Sequence, residues 1–133
     1  LLPAAWLLGA QRAAALLLVV LLVQGASRGT EPPPQLTFHR DVLPILRDKC
    51  LRCHNPRKKD GALDMSTYAG LLRGGNSGPP LVVGNSRRSL MIDMIFFDEM
   101  PPKNQRPRVS SAELKLLEEW IDAGAAEGSP PGN

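Results

Sequence analysis

The segment KCLRCHNPRKKDGALDM, from Lys49 to Met65, holds both cysteines of the chain, Cys50 and Cys53, and places His54 directly after the second. Two thiols about one helical turn apart can each add to one vinyl group on a porphyrin edge, forming thioether bonds. The next residue then lies under the iron, where His54 can offer a ring nitrogen as the proximal axial ligand. C-x-x-C-H is the attachment signature of haem c, and it dictates a fold wrapped around one covalently bound haem. Three other readings stay open. A structural disulfide leaves His54 without a use. A thioredoxin-like redox pair expects alternating strands and helices, and a zinc site needs four ligands where only the isolated His39 remains.

The chain has 133 residues, room for one domain. From Leu1 to Val23 its only charge is Arg12, and Ala13–Val23 is an unbroken apolar run of the length of a signal-peptide core. Small residues at Gly25, Ala26 and Ser27 offer a cleavage site. Residues 1–26 are therefore expected to be a signal peptide or, uncut, an N-terminal membrane anchor. Either way the remainder is exported, periplasmic or anchored facing the periplasm, which suits haem c because its attachment takes place outside the cytoplasm. Losing Arg12 with the leader takes the formal net charge from +3 to +2. That near-neutral balance implies no nucleic-acid partner. The basic clusters Arg57, Lys58, Lys59 and Lys103, Arg106, Arg108 read as solvated loops.

A Pro-rich linker is expected at residues 27–36, one domain at residues 37–126, and a flexible tail at residues 127–133. No stretch alternates as a strand does, so the expected class is all-α with long loops. Thr37 is placed to cap a first helix over FHRDVLPILRDKC, where Phe38, Val42, Ile45, Leu46 and Lys49 fall near one face. Pro44 requires that helix to bend or to begin near Leu43. A short helix is expected at Ser66–Leu72, ended by Gly74 and Gly75, and GGNSGPPLVVG must be a loop. A third helix is expected after Asn85 or Ser86, carrying Leu90, Met91, Met94 and Ile95 inward and stopping before MPP. The last helix is the plainest. Ser110 and Glu113 form a capping box, Leu114, Leu117 and Ile121 form a stripe flanked by Trp120, and Gly124 closes the end.

Haem iron takes ligands on both faces, and Met100 in FFDEMPPKNQ is the expected sixth ligand. Pro101 and Pro102 stiffen the backbone behind it, which would hold its thioether sulfur in a fixed position. His39 is the alternative, giving a bis-histidine site, although a histidine near a helix start more often faces solvent or caps. Met65, Met91 and Met94 read as core fillers. Ser86 or Arg87 is placed to reach a haem propionate. The glycine-rich loop lacks the G-K-[ST] ending and the preceding strand of a phosphate cradle, so it reads as a cover for the haem edge. Asp98 and Glu99 read as surface charges. Aromatic residues are only 5% of the sequence. A domain of about ninety residues buries a modest core by itself, so the haem is expected to complete it and the haem-free domain to be loose or unfolded.

The chain resembles the planctomycete-type cytochrome c domain, a relative of the small class I cytochromes c. The resemblance is carried by FHRDVLPILRDKCLRCHNP, GALDM, LLRGGNSGPPLVVGNSRRSLM, EMPP and LLEEWIDAGA, and spans nearly all of the chain after the leader. It implies an all-helical fold with the N- and C-terminal helices packed across each other, and a haem with His54 and Met100 as axial ligands. It also implies a domain that often precedes others in a longer protein. The expected function is single-electron transfer between redox partner proteins rather than catalysis. Two other classes are weighed against it. A peroxidase-like haem enzyme needs an open iron position and a distal acid or base, for which His39 is the one spare histidine. A haem sensor or interaction module within a larger protein needs only the bound haem.

Overall fold

The computed structural model describes residues 33–130 and 132. The expected leader at 1–26 and most of the linker lie outside the described residues. Among the described residues every regular element is helical, and extended segments pair only at two isolated bridges, Gly75 with Gly78 and Val82 with Asn85. The fold is all-α. No helix among the described residues is long and apolar enough to cross a membrane.

Pro44 shapes the first helix. Phe38–Val42 winds as one π-helical turn, in which the Val42 N–H reaches the Thr37 carbonyl at 3.3 Å and the Leu43 N–H reaches that of Phe38. Helix α1 (Leu43–Lys49) follows directly and takes Pro44 into its first turn, where a missing N–H costs least. The helical path thus starts at Phe38 and changes its winding ahead of the proline.

The expected Thr37 cap is corrected. Thr37 has the extended backbone of an N-cap, but its side chain accepts no helix N–H. That side chain lies against Gly128, where an added Cβ would come 2.5 Å from the Thr37 Cβ. The orphan N–H groups are met from elsewhere. The Asp41 carboxylate accepts from the Thr37 N–H at 2.7 Å, and the carbonyls of Ala126 and Glu127 accept from the Phe38 and His39 N–H groups at 2.8 and 3.2 Å. Glu127 and Gly128, the first residues of the expected tail, are docked on the start of this helix.

Helix α2 (Tyr68–Arg73) is capped by Thr67, whose hydroxyl accepts from the Gly70 N–H, and it stops at Gly74. The expected third helix is broken. Ser86–Arg88 is a 3-10 turn capped by Asn85, and α3 (Leu90–Phe96) begins only after Ser89. Ser89 is fully buried. Its hydroxyl donates to the Asn85 carbonyl at 2.8 Å and accepts from the Val82 N–H at 2.9 Å, so it is not free to cap α3. Helix α4 (Ser111–Asp122) carries the reciprocal Ser110–Glu113 capping box that the sequence predicts.

Three rings meet in the core. Phe38 lies 5.6 Å from Tyr68 on α2 and 6.4 Å from Trp120 on α4, so the N- and C-terminal helices touch through their largest side chains. Trp120 is fully buried rather than at the flank of its stripe, with Leu117 and Ile121 beside it and Leu114 only half-buried. The indole N–H donates to the Ala126 carbonyl and the Tyr68 hydroxyl to the Ala125 carbonyl, each at 2.9 Å. Both rings thus bury their apolar bodies and satisfy their polar ends on the turn after α4, where Gly124 has φ of 100°. Truncating a buried ring of this kind costs about 3–5 kcal/mol.

Candidate functional site

Helix α1 ends where the cysteines begin. Cys50 is its C-cap, and the N–H groups of Cys53 and His54 both return to the Cys50 carbonyl, at 3.1 and 3.0 Å. This tight turn sets Cys50, Cys53 and His54 on the wall of one cavity. Its volume is about 280 Å³, just below the range of about 300–1,000 Å³ usual for ligand pockets. Both thiols are free and half-buried. Burial pushes the Cys50 thiol up to about 12. The Cys53 sulfur lies 3.4 Å from the Lys58 ammonium, which also pairs with Asp60 at 3.0 Å.

One nitrogen of His54 is already engaged. Nδ1 lies 3.0 Å from the Asp60 carbonyl oxygen. A carbonyl only accepts, so Nδ1 carries the proton and Nε2 keeps its lone pair for a metal. The loop that supplies this carbonyl is folded back on the cysteines by the Asp60 N–H, which donates to the Cys53 carbonyl at 3.2 Å.

All four methionines of the chain, Met65, Met91, Met94 and Met100, line the same cavity. Met65 and Met91 are buried in the core as expected, whereas Met94 is half-buried on the cavity wall and outside the core cluster. Met100 is 40% exposed. The N–H groups of Glu99 and Met100 both donate to the Met94 carbonyl at 2.9 Å, which ties this loop to α3. Arg108 holds the loop from its far end, donating to the carbonyls of Pro101 and Pro102 and pairing with Asp98. Asp98 is therefore a structural ion-pair partner and not merely a surface charge.

The glycine-rich loop contributes Gly75, Ser77, Gly78 and Pro80 to the wall. Gly75 has no substitute there, because an added Cβ would collide with the Gly61 carbonyl and stand 3.0 Å from the Leu63 nitrogen. Three expected roles fail. Ser86 is turned away, its N–H and hydroxyl donating to the Asp122 carboxylate at 2.7 and 2.9 Å, and the exposed Arg87 is off the wall as well. His39 is also off the wall. Its Nε2 lies 3.6 Å from the Glu127 carboxylate, and its ring packs edge-on against Phe38.

The cations that do line the cavity are Lys49, Arg52 and Arg106. Lys49 is held by Asp48 and Glu113 at 2.8 and 3.5 Å, and Arg106 folds onto the carbonyls of Lys103 and Gln105. Arg52 and Arg106 escaped the sequence reading, which saw Arg106 only as part of a basic loop.

These residues fit a porphyrin. Two free thiols and a poised ring nitrogen share one wall, thioether sulfurs, aliphatic side chains and prolines supply its apolar part, and no buried side-chain N or O atom lacks a partner among the described residues. A zinc centre fits poorly, since no group of three or more His, Cys, Asp or Glu able to hold a metal ion occurs among the described residues. Residues 50–104 match the family model described as planctomycete cytochrome C. No curated protein and no solved structure matches the chain.

Proposed function

We propose that the protein, whose residues 50–104 match the planctomycete cytochrome C family, is a haem-binding c-type cytochrome that passes single electrons between redox partner proteins outside the cytoplasm. Cys50 and Cys53 would hold one haem c through thioethers, and His54 and Met100 would ligate its iron. When bound, the haem supplies an iron that alternates between ferrous and ferric states without breaking a bond. The chain's contribution is positional. The turn at Cys50 fixes the anchoring thiols and His54 together, and the Asp60 carbonyl orients the imidazole. The Met94 carbonyl and Arg108 hold the Met100 loop. A thioether ligand favours the ferrous form and raises the potential above that of a bis-histidine site. Residues 1–26 would deliver the domain across the membrane, as a cleaved leader or as an anchor.

One observation carries this reading: Cys50, Cys53, His54 and Met100, from two separate segments, line a single cavity. The peroxidase-like alternative loses support because His39, its distal candidate, lies off that cavity. The test is the absorption spectrum of protein co-expressed with haem-maturation machinery, extended to the near-infrared band that reports a Met sulfur on ferric iron. A low-spin c-type spectrum with that band, lost in Met100→Ala, is expected. Loss in Met94→Ala instead moves the ligand to Met94. A high-spin spectrum defeats the electron-carrier reading, and absence of bound haem defeats the site.

A further inference from the structure

The most exposed large apolar side chains lie beside the cavity, not in it. Phe96 ends α3 and Phe97 follows it, 69% and 66% exposed, with their rings stacked edge to face at 5.2 Å. Neither lines the cavity, but Met100, close behind them in the chain, does and is itself exposed. Neither ring belongs to the core cluster. Bare aromatics side by side are unfavourable in water and are the residue type that anchors protein interfaces.

Carboxylates border the pair. Asp93 lies one helical turn before Phe97, and Asp98 and Glu99 follow directly; all three are exposed. Arg108 compensates Asp98, which leaves Asp93 and Glu99 without an ion pair among the described residues.

We propose that Phe96 and Phe97, bordered by Asp93 and Glu99, are the docking point for a redox partner protein that presents an apolar centre ringed by lysine or arginine. The proposal rests on the electron-transfer reading above. Charge selects a basic partner. Area selects a transient one: an aromatic side chain carries about 150–250 Å², so the two rings offer roughly 200–330 Å² against about 800 Å² per partner in a stable interface. That is too little for a permanent dimer of this chain and suits the brief encounters of an electron carrier.

The test is stopped-flow oxidation of the reduced holoprotein by two probes. Tris(phenanthroline)cobalt(III) is a cation with apolar faces, and ferricyanide is an anion without them. In each reaction one electron leaves the protein, and cobalt(III) becomes cobalt(II) or ferricyanide becomes ferrocyanide; no proton or bond is exchanged. The cobalt rate is expected to fall about five- to thirtyfold in Phe96→Ser/Phe97→Ser, the loss typical of truncated interface anchors. It should fall less in Asp93→Asn/Glu99→Gln, and in the wild type it should drop as salt is raised. The ferricyanide rate of the Phe variant should be unchanged. Equal cobalt rates in wild type and variants overturn the docking role, as does equal slowing with both oxidants. A wild-type dimer in sedimentation velocity that the Phe variant dissolves also overturns it, assigning the patch to a second copy. A reduced protein that neither oxidant oxidises overturns the electron-transfer reading itself.

Discussion

Ser89→Ala isolates one buried hydroxyl that holds the cavity loop to α3. The Ser89 side chain is fully buried and bonds in both directions, accepting from the Val82 N–H and donating to the Asn85 carbonyl. It caps no helix, so loss of a cap plays no part in the outcome. Removing one oxygen leaves almost no void. The Asn85 carbonyl keeps the Arg88 N–H as a donor at 3.3 Å, whereas the Val82 N–H loses the partner it has. Val82 itself is exposed, so its N–H can turn to water and the loss is that of an ordinary hydrogen bond, about 0.5–1.5 kcal/mol. In a domain of about 100 residues each kcal/mol moves Tm by about 4–8 °C, so the variant should melt roughly 2–12 °C lower. Thermal unfolding of the holoprotein, followed by far-UV circular dichroism and by haem absorbance, reads the shift. A change below about 0.5 kcal/mol, the scale of an inert surface substitution, would refute the assignment of Ser89 as the pin.

Acid should weaken the fold through identified carboxylates. Asp41, Asp64 and Asp122 are held below the ordinary value of 3.8, chiefly by the Arg40 side chain, the Ser66 hydroxyl and the Ser86 N–H respectively. Their folded values lie below the unfolded one, so this stabilisation is complete above about pH 4 and is lost as pH falls through the folded values. Tm should be flat above that point and drop below it, less steeply in Asp122→Asn; an unchanged acid slope in the variant counts against the Ser86–Asp122 link. Cys50→Ala/Cys53→Ala, which cannot anchor haem, should lose the cooperative melt because the cavity walls are then left unfilled. A full helical signal with a sharp transition in that variant refutes the idea that haem completes the core.

Features set by residues adjacent in sequence were legible. The cysteines of CLRCH fit a haem-binding motif through a spacing of a few residues, and the Ser110–Glu113 box is closed within one helical turn. What escaped depends on chain returning from a distance. The partner of the His54 ring is a backbone carbonyl at Asp60, and every residue has one, so no residue type announces it. Arg108 looks like any basic loop residue until its guanidinium meets Asp98 and two proline carbonyls. Ser86 seemed available to an anion because nothing local showed that Asp122, on the last helix, takes both of its donors. Trp120 was set at the flank of α4 by a wheel centred on Leu114, Leu117 and Ile121. Phe38, which also meets Tyr68, packs beside the indole and turns the buried face toward it.

The gathering of every methionine sulfur on one cavity also decides how the protein ages. Oxidation to sulfoxide turns a flexible apolar side chain into a polar one. Scattered methionines would spread such lesions over unrelated surfaces, but here each falls on the wall that would lodge the cofactor. Met100, 40% exposed, meets an oxidant first, and the buried Met65 and Met91 meet it last. A filled cavity shields sulfurs that an unfilled one offers up, so in an oxidising compartment the assembled protein should outlive the unassembled chain.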